Sequence, residues 1–480
     1  MYNEKAFGKP STSARLLYSS PAAHQAPSLT EPPFLSIGID FGTTAAWAKS
    51  TALDQVEVIS HWSSHTIGST DSEKVPSVIS YDSCGEYVRW GSGVKSSDNP
   101  LQWTKLLLSP RSYTSNSLEG SIMESARRHM VLYNKSPVDV IADYLRLLWN
   151  HVLERLRIRL TTPVLEGMVF KLVLTVPAIW DQNAQTKMRL AAKRAGMLDA
   201  RPSGETTLSL VAEPAAAALA TYFDSGIRHN PILQVGDTFV VCDAGGGTVD
   251  LISYKIKSFE PLQLTECIGA TGDLSGAVYI DHAFEELINT YRYKHMSSLN
   301  ADARRRFMDR EWEYNLKRNF DGNDGPWPVE LPQIPHSRKS ALRSIFKKEQ
   351  SNILALNGND LRRVFAAVLP KILNLLRDQV EGIKEMTGRR QKYAQIPLII
   401  LVGGFGSSPY LLRQIEQAFP GIIVQRPPRA WSAVCRGAVY RGAQVGHDIV
   451  VDAGTNHIKA MASSPKAETL SAPMSAVHAL

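Results

Sequence analysis

Two short stretches place an aspartate after a run of strand-forming residues and before small ones: Asp40-Phe-Gly-Thr-Thr follows "FLSIGI", and Asp243-Ala-Gly-Gly-Gly-Thr follows "TFVVC". Glycine has no Cβ, so backbone N–H groups in such turns can approach an anion closely and adopt positive φ. The same residues also suit plain hairpin turns, and a single Gly-Gly-Gly does not choose between a phosphate cradle and a turn. Two matched hairpins with a third glycine turn at 403–406 favour the cradle: a polyphosphate held from two sides, with Asp40 and Asp243 near a magnesium ion. Mg²⁺ takes a few carboxylates, retained waters and phosphate oxygens, and this set supplies them.

The elements that carry these turns occur twice. "FLSIGIDFGTTAAWAKS" (34–50) reads as strand, turn and strand, and so does "TFVVCDAGGGTVDLISYKI" (238–256). After the first comes "GMVFKLVLTVPAIWD" (167–181), a buried strand ended by Pro177, and a helix from about Gln182 to Arg194 that stops near Gly196. Its later counterpart is "IPLIILVGGFGSSPYLLRQIEQAF" (396–419): strand, glycine turn, amphipathic helix. A period of about 200 residues points to duplicated α/β lobes facing each other, not to a solenoid. "VPSVISYDSCGEYVRW" (75–90) has strand composition broken by a turn at 82–85, and "LSLVAEPAAAALATYF" (208–223) passes from a short strand into an Ala-rich helix. Residues 137–158 carry apolar side chains at helical spacing, with Ser136 as N-cap and Pro137 at N1. Helices are also expected over 281–295, 301–320 and 360–382, the last capped by Asp360 and kinked at Pro370.

The chain-wide properties narrow the class. With 480 residues the chain exceeds what one core supports, and 44% hydrophobic with 21% charged residues is ordinary globular composition. The net charge of +7 is spread along the chain and does not argue for nucleic acid. Cys84, Cys242, Cys267 and Cys435 are scattered without metal-ligand spacing, which favours a reducing compartment. With no apolar run of about 18 residues, a cytoplasmic location is expected, a nuclear one being compatible, and no membrane partner. The expected organisation is a Ser/Pro/Ala/Thr-rich leader over 1–33, lobe I over 34–235, lobe II over 236–445 and an irregular tail over 446–480.

"IGIDFGTT", "LTVPAIWD", "VAEPAAAALA", "CDAGGGTVD" and "LVGGFGSSP" stand in the order and spacing of the nucleotide-binding domain of heat shock 70 (DnaK-type) proteins, and the chain resembles that family from Phe34 to Gly442. "WDQNAQTKMRLAAKRAGM" and "PPRAWSAVCRGAVYRGA" are most similar to its divergent branch, typified by heat shock protein family A member 12 and fungal relatives. The resemblance implies an actin-like ATPase fold of the actin/hexokinase superfamily: two duplicated ribonuclease-H-like lobes around a nucleotide cleft, with ATP or ADP and Mg²⁺ as ligands. It implies that Gly42, Thr43 and Thr44 bind phosphate from one lobe, and Gly245, Gly246, Gly247 and Thr248 from the other. Asp40 and Asp243 would hold Mg²⁺ through waters, Lys105 would position the attacking water and γ-phosphate, Glu213 would orient the water or the metal, and Asp250 would complete the acidic set. Gly403 and Gly404 would pass under the nucleoside, Gly272 or Gly276 would approach phosphate or ribose, and Lys317 and Arg318 in "EYNLKRNF" would contact adenosine.

Several positions depart from the family. Glu313 lies four residues before Lys317, with Tyr314 where the family's acid stands; the adenine-stacking arginine is Ser407, the aspartate of the final helix is Trp431, and the coupling arginine is Gln185. About 38 residues follow Gly442, fewer than a peptide-binding domain needs, so none is expected in this tail. The resulting expectation is a slow Mg²⁺-dependent ATPase working as a nucleotide-controlled switch, with protein partners through its lobes. The alternatives are a scaffold that binds nucleotide weakly or without hydrolysis, and a small-molecule kinase of the same superfamily with Asp250 as base.

Overall fold

The protein is represented by a computed structural model that describes residues 32–41, 44–50, 52, 55–62, 74–109, 118–224, 233–259, 262–292, 295–332, 352–386, 396 and 398–443. The expected leader, apart from its last two residues, and the expected tail therefore lie outside the described residues, as do Gly42 and Thr43. The chain divides into two compact units. The first runs to Thr221 and includes Leu299–Arg306 and the chain from Ser432; the second holds Tyr222–Ser298 and Phe307–Trp431.

In the first unit, β1 (Phe34–Asp40), β2 (Thr44–Lys49), β3 (Glu57–Val58), β7 (Val169–Val176) and β8 (Thr207–Ala212) form one sheet in the order β3-β2-β1-β7-β8. β1 pairs antiparallel with β2 and parallel with β7, and β7 pairs parallel with β8. β1 is buried on both faces, Ser36 and Gly38 included, because helices cover each of them. Leu35, Ile37 and Ile39 pack with Leu145, Leu148 and Val152 of the helix Pro137–Arg159. The other face meets the helix Ala433–Ala443, where Ser36 donates to the Val439 carbonyl at 2.7 Å. A Cβ at Gly38 would stand 2.7 Å from Val439 N and would overlap the Cys435 carbonyl, so this glycine sets how closely helix and strand approach. A helix from the end of the chain is thus part of the first sheet's core.

The caps follow the local sequence. Ser136 accepts from Asp139 N in a capping box with Pro137 at N1, Asp181 accepts from Ala184 N, and Gly196 at φ 78 follows the end of the helix Gln182–Arg194. β4 (Val78–Tyr81) lies between β5 (Tyr87–Trp90) and β6 (Leu101–Gln102) in a small sheet of the same unit.

The second unit repeats the strand order. β9 (Thr238–Ala244), β10 (Val249–Phe259), β11 (Leu262–Asp273), β14 (Leu398–Val402) and β15 (Ile423–Gln425) are arranged β11-β10-β9-β14-β15, again two antiparallel neighbours beside three parallel strands. β9 and β14 are buried throughout. The helix Leu369–Met386 is pinned to β10 and β11 by Gln379, whose side chain accepts from Ser253 Oγ and donates to the Gly269 carbonyl and Thr271 Oγ1. A two-strand sheet of β12 (Trp327–Glu330) and β13 (Ile353–Leu356) completes the unit.

Three helix expectations are corrected. The first helix runs Ala277–Tyr291, starting four residues earlier than expected because Gly276 caps it against the glycine loop. The cap expected of Asp360 is made by Asn357, which accepts from Asn359 N and Asp360 N, while the Asp360 carboxylate accepts from Asn357 N. Where Pro370 suggested a kink, the chain breaks into two helices, Gly358–Phe365 and Leu369–Met386, and Pro370 falls in the first turn of the second, where it costs no hydrogen bond.

Candidate functional site

In the first unit the carboxyl ends of the three parallel strands lie in register: Asp40 stands beside Thr175, and Thr175 beside Val211. Ligands of open α/β sheets gather at such strand ends. Thr175 donates its hydroxyl to Asp40 Oδ1 at 3.0 Å, which fixes that carboxylate, and Thr44 pairs with Asp40 across the hairpin. Glu213 is the first residue after β8 and opens the helix Glu213–Asp224. Lys105 comes from the 3₁₀ turn Thr104–Leu108, entered through Trp103 at φ 64, and its ammonium binds the Glu213 carboxylate directly. The ammonium also lies 6.0 Å from the ring centroids of Phe41 and Trp180. Both side chains are largely buried, at 18% and 9% exposure. Two residues 108 positions apart in the sequence, both expected in catalysis, are therefore one ion pair at the strand ends.

In the second unit the Gly-Gly-Gly turn is closed by Gly245 N donating to the Thr248 carbonyl at 2.9 Å. Its carbonyls face the start of the helix Ala277–Tyr291: Gly276 N donates to Gly247 O, Ala277 N to Gly245 O and Val278 N to Gly246 O, at 3.2, 3.1 and 2.9 Å. These bonds satisfy first-turn amides that a helix leaves without partners of its own. In a trans peptide the C=O and N–H point oppositely, so the amides of Gly246, Gly247 and Thr248 face away from the helix. Gly276 makes the lock possible, since a Cβ there would lie 2.6 Å from the carbonyl carbons of Gly246 and Gly247.

Beside this loop runs a row across four strands: Val402, Asp243, Asp250 and Gly272. Asp243 and Asp250 are directly opposite on the β9–β10 hairpin, and both are buried. Like charges opposite one another destabilise a sheet, and burial, reinforced by these two carboxylates, pushes the Cys242 thiol up. Glycines keep room around the carboxylates. A Cβ at Gly272 would stand 2.9 Å from Asp250 Oδ1, and one at Gly403, held at φ 89, would overlap Asp243 Oδ1 and the Ala244 carbonyl. Two buried acids with space kept free beside them suit a cation that retains most of its waters. No group of three or more His, Cys, Asp or Glu forms a metal cluster among the described residues, and a hydrated Mg²⁺ needs none.

The residues expected at adenosine are engaged within the second unit. Lys317 is nine-tenths buried and donates to Asp281 Oδ1 at 2.8 Å and Glu313 Oε2 at 2.6 Å. Burial lowers its pKa, yet the carboxylates of Asp281 and Glu313 outweigh this and hold it above the ordinary lysine value. Burial raises the Asp281 carboxyl against the pull of Lys317 and the bond from Trp312 Nε1 at 2.6 Å. Arg318 lies over the Tyr314 ring at 4.7 Å. The one-residue offset of Glu313 has a structural counterpart: Met308–Leu316 is wound as a π-helix, with Lys317 N donating to the Trp312 carbonyl five residues back. Asp281 escaped the sequence reading. Its only signal was an acid beside the apolar stripe Ala277, Ile280, Phe284 and Ile288. At Gly404 a 3₁₀ turn begins, Phe405–Ser407, and Ser407 Oγ bonds back to the Gly403 carbonyl at 3.3 Å.

Two five-stranded sheets of identical order, each with a first strand that carries an aspartate at or next to its end and leads into a hairpin, make this an actin-like ATPase fold. No family model matches the chain. Among curated proteins it is similar to human heat shock 70 kDa protein 12A, with 25% identity over 336 residues, covering 56% of this chain and 48% of that protein. It is 26% identical to human heat shock 70 kDa protein 12B over 381 residues, 64% of this chain and 53% of the relative. The chaperone protein HscA homolog of Rickettsia peacockii is 30% identical over 391 residues, 80% and 53%. The chain spans about half the length of the curated relatives it matches. These likenesses to heat shock 70 chaperones at about 25–30% identity support a divergent domain resembling their nucleotide-binding domain. No helix among the described residues is long and apolar enough to cross a membrane.

Proposed function

We propose that the chain binds ATP·Mg²⁺ and hydrolyses it slowly, serving as a nucleotide-controlled conformational switch related to chaperones. One observation carries this reading: a glycine loop with its carbonyls tied to a helix and its amides turned away, beside two buried, opposed carboxylates. Phosphoryl transfer rests on positioning and charge stabilisation more than on covalent chemistry, and each residue set has such a task. Gly42, Thr43 and Thr44, with Gly245, Gly246, Gly247 and Thr248, bind phosphate oxygens. Asp40 and Asp243 hold the waters of Mg²⁺, which when bound neutralises phosphate charge. Lys105 exchanges Glu213 for a phosphate oxygen, and the released carboxylate orients the attacking water. Asp250 adds negative charge behind Asp243, and Gly272 leaves it space. Gly403, Gly404, Lys317 and Arg318 form the nucleoside side. The four free cysteines fit work in a reducing compartment, for which the cytosol is proposed.

A second reading, a scaffold that binds nucleotide without turning it over, is favoured by the Asp281–Lys317–Glu313 cluster, which already satisfies the lysine. Single-turnover assays separate the two. Hydrolysis of ATP·Mg²⁺ that falls about 100-fold in Lys105→Ala, a loss typical of removing one transition-state donor, supports the switch. Binding without product in the unaltered chain supports the scaffold.

A further inference from the structure

In the first unit β7 is apolar from Leu172 to Val176 except at Thr175, whose side chain is fully buried. A buried hydroxyl costs stability unless it is hydrogen-bonded, and a strand does not need one here: threonine and valine are both β-branched and both suit a pleated sheet. The second unit shows the alternative. There β14 stands beside β9 as β7 stands beside β1, yet the residue in register with Asp243 is Val402, whereas the residue in register with Asp40 is Thr175. The hydroxyl is thus present in one copy of the duplicated sheet and absent from the other, on the strand next to an assigned aspartate.

The Thr175 hydroxyl has one proton, and it goes to Asp40 Oδ1 at 3.0 Å. Branching at Cβ restricts the threonine rotamer, and full burial holds the donor in place. No other hydrogen bond to the Asp40 carboxylate comes from the described residues. Asp40 is partly exposed, unlike Thr175, so water reaches it. An aspartate carboxylate turns freely about its last bond unless something holds it. Tied at Oδ1, it presents Oδ2 in one direction.

We propose that Thr175 is a positioning residue that makes the site selective for Mg²⁺: by holding Asp40 Oδ1 it fixes the direction in which Oδ2 accepts from a water of the hydrated ion. This rests on the nucleotide reading above. Mg²⁺ demands near-ideal octahedral geometry, whereas Ca²⁺ tolerates a larger and more flexible ligand set. An acceptor with one fixed direction therefore favours Mg²⁺ and gives Ca²⁺ little.

The test is titration calorimetry of the full chain with ATP at increasing free Mg²⁺ and, in parallel, Ca²⁺, which gives the metal concentration at half-maximal nucleotide binding. Thr175→Val puts into the first sheet the residue that the second carries at the matching place. It is expected to raise the Mg²⁺ requirement about tenfold and the Ca²⁺ requirement less than about threefold. Thr175→Ser keeps the hydroxyl and should stay within about threefold of the unaltered chain for both ions. In an Asp40→Asn background Thr175→Val should move the Mg²⁺ requirement by less than about twofold, because the threonine acts through that carboxylate. A folding defect would shift both ions alike and would show in a circular dichroism melt. The assignment of Thr175 is overturned if Thr175→Val leaves the Mg²⁺ requirement unchanged, if it shifts Mg²⁺ and Ca²⁺ equally, or if Thr175→Ser behaves as Thr175→Val does. Each of these results leaves the nucleotide reading standing. Absence of ATP binding by the unaltered chain at every Mg²⁺ concentration refutes that reading, and the role of Thr175 with it.

Discussion

Replacing Lys317 by methionine keeps an unbranched side chain one atom shorter and removes the ammonium with its two hydrogen bonds, leaving Asp281 and Glu313 without it. Removing one partner of a fully buried pair costs about 3–5 kcal/mol, because the remaining charge is stranded. Here the lysine side chain is 10% exposed, but those of Asp281 and Glu313 are 33% and 39% exposed, so water takes part of the penalty. A loss of about 2–3 kcal/mol is therefore expected at neutral pH. For a unit of this size that is a fall in melting temperature of about 4–12 °C. The pH dependence has a fixed sign. Burial already raises Asp281 in the folded chain, and without Lys317 it rises further. A carboxyl raised on folding binds its proton more tightly in the folded state, so the stability it lends is present at low pH and lost as pH rises through the folded pKa. The difference between the variant and the unaltered chain should accordingly be largest near neutrality and shrink on acidification toward the carboxyl range. Melting curves followed by circular dichroism across that interval measure it. A difference below about 0.5 kcal/mol, within the usual range of surface substitutions, or one that does not change with pH, would refute the reasoning about this cluster.

Other substitutions test the rest of the site. Gly403→Ala forces a Cβ into Asp243 and the Ala244 carbonyl at φ 89, and should cost about 1–3 kcal/mol in denaturant unfolding while weakening ATP·Mg²⁺ in titration calorimetry. Gly276→Ala should separate the glycine loop from its helix, detected as faster amide exchange at Ala277 and Val278, which donate to the Gly245 and Gly246 carbonyls. Glu213→Gln, which keeps the shape and removes the charge opposite Lys105, should lower single-turnover hydrolysis by about 100-fold and leave the affinity for ATP within a few-fold.

The hairpins, the buried strands and the Ser136 cap were legible because each is written in contiguous residues: an apolar run, a turn residue, a capping side chain. Lys105 and Glu213 were singled out through the family resemblance, each with its own role; their contact was not foreseen, since no local pattern relates residues 108 positions apart. Asp281 was illegible for a different reason. Its role depends on the π-winding of Met308–Leu316, which turns Lys317 toward it and which propensity does not announce. The Asn357 cap was missed because two acceptors stand three residues apart, and either could open the helix until the reciprocal bond from Asp360 is seen. Gly38 read as an ordinary small residue in a strand; only the approach of a helix some 400 positions later gives it a purpose.

The central claim is that the buried acids and the glycine loop serve ATP·Mg²⁺. Titration calorimetry of the purified chain with ATP·Mg²⁺, set beside the same titration of Asp243→Asn, tests it most directly. The account predicts saturable binding in the unaltered chain, weakened at least about tenfold, or 1.4 kcal/mol, in the variant. Absence of binding at millimolar ATP·Mg²⁺, or equal affinity in Asp243→Asn, would contradict it.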